Sequence, residues 1–209
     1  MLRALNLLFN PEATWQKMAL KPPYIATVLF ISILPMMAIA LGVEAYAMVN
    51  FGEMFSEIGR RTVSQDRAIK YAVFYGAASL VVVLFGAGLL KHVAESFNLR
   101  SSFSVCLILI AFAYSPIFYG RLLDAIPAIN TWICWAVGVA LAMRILYHGV
   151  AWWLQPEQTK GFGLFILTFI YVAVLSALVH FASLQVLHGR FLKNIMESGS
   201  PTALSLDPR

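Results

Sequence analysis

The chain has 209 residues, 60% of them hydrophobic and 12% charged, with a mean hydropathy of +0.77. Soluble domains carry about a quarter charged residues, so this composition excludes an ordinary soluble domain and indicates a polytopic helical membrane protein. The net charge of +5 does not indicate nucleic acid, because the basic residues flank apolar runs singly or in pairs and form no continuous stripe; anionic lipid headgroups are the partner they fit.

Residues 1–22 read as a surface element. After Arg3 the apolar run Ala4 to Phe9 is too short for a cleavable signal peptide, and Asn10-Pro11-Glu12 interrupts it. Asn10 is a good N-cap, Pro11 suits the first helical position, and Glu12 complements the helix dipole in the first turn. Trp15, Met18 and Ala19 fall on one face, Lys17 and Lys21 supply a basic edge, and Pro22-Pro23 end the helix. The expectation is a short amphipathic helix in the headgroup layer.

Residues 23–190 then hold five apolar runs near the ~20 residues that cross hydrocarbon as a helix. The first spans about 24–46, with Pro35 as a kink. A polar connection, Met48 to Arg67, follows, with room for a helical turn. The second spans about 68–90, with Ala78, Val82 and Gly86 as a small-residue packing face. The third spans about 103–120. Pro116 bends it, and Arg121 pairs with Asp124 at i, i+3 on the interfacial side, so the turn into the next span needs almost no aqueous loop. The fourth spans 127–149 from Pro127, with Gly138 and Ala142 as a packing face. Trp132 and Trp135 lie at one end and Trp152 and Trp153 at the other, about 32 Å of helix apart. The fifth spans 161–187, and residues 191–209 form a polar tail expected to be disordered. The predicted fold is an all-α membrane protein, a five-transmembrane-helix bundle with a short amphipathic N-terminal interfacial helix. Cys106 and Cys134 fall inside apolar runs and read as small buried residues.

Ionisable residues at membrane depth are default functional candidates. Glu44, Arg144 and His180 form the candidate intramembrane polar site. For each, an ordinary role competes: Glu44 reaching the interface, Arg144 snorkelling outward, and His180 hydrogen-bonded to a neighbour. His92 and Glu95 form an H-x-x-E pair on one helical face, a weak metal candidate because it lacks a second pair. No zinc-protease H-E-x-x-H and no P-loop G-x-x-x-x-G-K-[ST] occurs, so no catalytic residue and no cofactor is expected. Nor is there an obvious inverted repeat of the kind transporters use.

Three motifs carry a family resemblance: "LLFNPEATWQKM" with Asn10, Pro11 and Trp15; "AYSPIFYGRLLDAIP" with Tyr114, Pro116 and Pro127; and "ILYHGV" with Leu146, Tyr147 and Gly149. In this order, with five spans, the chain resembles the Yip family (Ypt-interacting proteins) in a compact bacterial form. The resemblance implies an all-helical five-span domain without catalytic residues. Eukaryotic members act in membrane traffic and bind prenylated Rab-type GTPases through a long hydrophilic N-terminal region. This chain has about 22 residues before its first span, which argues against GTPase binding.

The expected role is thus a non-enzymatic membrane protein, a scaffold or partner-binding element in membrane organisation. Its partners would be lipids and either another membrane protein or a second copy. The alternative is a small transporter or channel for an ion, metal or lipid that uses the intramembrane polar residues. The resemblance implies a bacterial inner membrane and a cytoplasmic N-terminus. Charge alone does not decide orientation, since the two sides hold seven and eight basic residues.

Overall fold

The computed structural model describes residues 2–54, 60–61, 63–99, 101–126 and 129–188. Pro127 and the tail from 191 onward lie outside the described residues, and so do the expectations placed on them. Two short helices, α1 (Leu2–Phe9) and α2 (Pro11–Leu20), precede five long ones: α3 (Thr27–Asn50), α4 (Gln65–Ser96), α5 (Phe103–Leu123), α6 (Thr131–Leu154) and α7 (Gln158–Leu187). All five of the latter are long and apolar enough to cross a membrane, and the protein is an all-α, multi-pass membrane bundle.

The helix ends follow local chemistry. Asn10 caps α2 with its side chain accepting from the Ala13 N–H, and Pro11 and Glu12 occupy the first turn. Ser102 and Asn130 cap α5 and α6 the same way, accepting from Val105 and Trp132. α4 is closed off by Asn98, two residues past its last turn and in the left-handed region at φ 61°, and the Leu99 N–H returns to the Ala94 carbonyl. The connection between α3 and α4, expected to have room for a helical turn, contains a minimal antiparallel ladder of Glu53–Met54 with Arg60–Arg61.

The two expected proline effects take specific forms. Pro35 lacks an N–H and its ring crowds the carbonyl four residues back, so the preceding stretch Thr27–Ile33 widens into a π-helix before α-geometry resumes. Pro116 lies inside α5, which stays helical to Leu123. The carbonyl it cannot serve, that of Phe112, accepts instead from the Ser115 hydroxyl at 2.8 Å.

α5 is the centre of the bundle. Every residue from Cys106 to Phe118 is buried, and 78% of its most apolar stretch is enclosed, against 33% for α7. A helix apolar on all sides belongs in the middle of its neighbours. Its crossing with α6 is very close: a Cβ on Gly120 would sit 2.5 Å from the Cys134 carbonyl oxygen, and one on Gly138 would sit 2.8 Å from the Ile117 Cα. Small residues allow such an approach where lipid gives no hydrophobic drive between helices. Cys106 and Cys134 are both buried free thiols.

Candidate functional site

Two constellations stand out, one at each end of the bundle. At the end where α3, α5 and α7 finish and α4 and α6 begin, five helices converge on Arg121. This side chain has no exposed surface. Its Nη1 donates to Glu44 Oε1 from α3 at 2.8 Å and to the Tyr71 hydroxyl from α4 at 2.8 Å. The same nitrogen lies 3.1 Å from Asp124 Oδ2 and 3.4 Å from Thr131 Oγ1. Its Nη2 donates to Nδ1 of His180, from α7. The guanidinium also lies over the Tyr75 ring, 4.2 Å from the centroid.

The remaining bonds tie the partners together. Tyr71 donates its hydroxyl hydrogen to Glu44 Oε1 at 2.6 Å, and Thr131 donates to Asp124 Oδ2 at 3.2 Å. The His180 ring meets the edge of Trp132 at 4.5 Å between centroids. A guanidinium keeps its proton at any biological pH, so Nδ1 of His180 is the acceptor and the ring is neutral with its hydrogen on Nε2. Glu44 Oε2, Arg121 Nε, His180 Nε2 and the Tyr75 hydroxyl are buried without a hydrogen-bond partner.

This geometry corrects the expectation for Arg121 and Asp124. They do pair, but the guanidinium is buried where it was expected at the interface. Glu44 likewise turns inward, with 0% exposure, and does not reach the interface. The reason is long-range: the guanidinium exchanges water for Glu44 from α3, Tyr71 from α4 and His180 from α7. The structure brings together Glu44 and His180, two of the three expected polar-site residues, through Arg121. Arg144 is elsewhere, exposed on α6 with its Nη1 3.4 Å from the Leu8 carbonyl oxygen.

His92 and Glu95 are exposed, and Glu95 lies 3.7 Å from Lys91 Nζ. Among the described residues no group of three or more His, Cys, Asp or Glu could hold a metal ion. Tyr71, Tyr75, Arg121, Asp124 and Thr131 were missed as site residues. One signal was available: Tyr71, Tyr75 and Ser79 repeat every four residues, a polar edge on the buried face of α4.

At the opposite end, α2 docks onto α6. Trp15 is fully buried and donates Nε1–H to the Ile145 carbonyl at 3.0 Å. Its ring meets Phe112 at 6.0 Å and Trp153 at 5.5 Å, both edge-on. Gly149 is the notch that admits it, since a Cβ there would lie 2.9 Å from Trp15 Cζ2. Trp15 and Met18 of the expected apolar face thus pack on protein, while Ala19 is exposed.

The remaining motif residues support this frame. Tyr114, Pro116 and Leu146 are buried, with the Tyr114 hydroxyl 3.5 Å from Ser79 Oγ. Tyr147 is exposed and meets Phe165 edge-on at 5.3 Å. No curated protein and no solved structure matches the chain. One family model does, described as the Yip1 domain, over residues 5–179.

Proposed function

This chain belongs to the Yip1-domain family of membrane proteins, and from that premise we propose that it is a non-enzymatic scaffold, organising its membrane through lipid and a second membrane protein or copy of itself. The observation that carries this reading is the closure of the intramembrane charges. Glu44, Arg121 and His180 have no exposed surface and face one another. A transport path needs polar groups along a hydrated route that can bind and release cargo. Here the strongest binding groups are occupied by each other, and Arg144, His92 and Glu95 lie apart from them on exposed faces.

The outer surface suits the same role. Exposed apolar side chains line α7 at Phe162, Ile170, Val174, Leu178 and Phe181, the kind of face that meets acyl chains or another helix. The membrane we propose is the inner membrane of a bacterium, with α1 and α2 on the cytoplasmic side.

The test is flux in sealed proteoliposomes under imposed proton, potassium and divalent-cation gradients. The scaffold reading expects decay no faster than in protein-free vesicles. A gradient that collapses with protein present, and is protected by Glu44→Gln, makes the protein a transporter.

A further inference from the structure

We propose that the cluster around Arg121 is a proton-binding site, with Glu44 carrying a hydrogen on Oε2, and that loss of this hydrogen loosens the joint between α3, α4, α5 and α7. The charges of the cluster do not balance. The groups facing the cluster are Glu44 from α3, Tyr71 and Tyr75 from α4, Arg121 and Asp124 from α5 and the turn after it, Thr131 and Cys134 from α6, and His180 from α7. Arg121 is the one cation among them and faces two carboxyls. His180 supplies no second positive charge, because its Nδ1 accepts from Arg121. With both carboxyls ionised, an uncompensated negative charge would sit in a closed interior at membrane depth, which is strongly unfavourable. One bound proton removes it.

The two carboxyls also differ in their surroundings. Asp124 is furnished as an anion: Oδ2 faces both Arg121 and Thr131, and the side chain keeps 6% exposure. Glu44 is the more enclosed of the two, and one of its oxygens has no donor to hold a charge. Its Oε1 takes both available donors, Tyr71 and Arg121, while Oε2 is buried and takes none. Ionised, Glu44 would leave that oxygen buried with no donor, whereas a hydrogen on it removes the charge. A metal ion is a poor substitute for the proton, since Oε2 has no polar neighbour within hydrogen-bond reach to complete a coordination shell. The exchange is a simple ionisation: the O–H bond of Glu44 breaks, its electron pair stays on Oε2, and the proton leaves to water by the Asp124 side, where the cluster retains exposure.

The sign of the effect on stability follows. A folded state that binds one proton more than the unfolded chain loses stability as pH rises. The experiment is infrared spectroscopy of the purified full chain in nanodiscs, reading the C=O stretch of protonated carboxyl groups, paired with thermal unfolding across pH. At neutral pH the wild type should show this band, and Glu44→Gln should remove it completely. On raising pH the wild-type band should fade together with the melting temperature, whereas Glu44→Gln, which mimics the protonated acid in shape and charge, should melt without that dependence. A wild-type spectrum lacking the band, or a band that survives Glu44→Gln, overturns the proposal. The wild-type titration stands by itself if the variant does not fold: a melting temperature that holds steady while the band disappears also overturns it.

Discussion

The two ends of this bundle are joined by different physics. At one end, Arg121 binds Glu44, Asp124 and His180 through charge and directed hydrogen bonds. At the other, Trp15 fills the notch at Gly149 with a single hydrogen bond to Ile145. The first joint depends on protonation and on every partner being present. The second depends on volume and is indifferent to pH. A helical membrane protein can therefore keep one end adjustable while the other stays fixed, because in lipid neither packing nor polar pairing dominates everywhere.

The largest expected effect separates the two. Arg121→Met leaves two buried carboxyls without their cation and should cost about 3–5 kcal/mol, seen as a large fall in detergent melting temperature; a loss no greater than that of a surface arginine would break the comparison. Trp15→Ala should cost about 3 kcal/mol and expose α1 and α2 to added protease. Its effect should be equal in weakly acidic and alkaline buffer, and a pH-dependent loss would show the two ends to be coupled. Gly138→Val forces α5 and α6 apart, because the contact is with the Ile117 backbone, and should cost about 1–3 kcal/mol. The smallest effect is Ser115→Ala, about 1 kcal/mol. It should vanish in a Pro116→Ala background, where a restored N–H serves the Phe112 carbonyl, and persistence there would refute the compensating role of the hydroxyl.

What could be read in advance divides along the same line. The five helices were legible because hydrocarbon demands long apolar runs. The seat of α2 was half legible: Asn10, Pro11 and Glu12 announce a helix start from adjacent residues, and Trp15 and Gly149 stood out as motif positions. Their meeting was not visible, since 134 positions separate residues 15 and 149. The polar cluster was hidden for a further reason. Arg121 and Asp124 already had an adequate local explanation as an i, i+3 pair, and nothing in that spacing says which way the pair faces. Only the third dimension brings Glu44, Tyr71 and His180 to the same guanidinium. The run Ala4 to Phe9 was weighed only as a signal peptide and assigned to the surface, yet Ala4 and Leu7 are fully buried.

The enclosure of α5 also gives the molecule a history. It is the third of the five long helices to leave the ribosome, yet the imidazole that meets its arginine is translated 59 residues later. Until the last helix arrives, Nη2 of that arginine lacks its imidazole partner. The helices that enclose α5 are α3, α4 and α6, so the last helix completes the arginine's set of ligands rather than its burial.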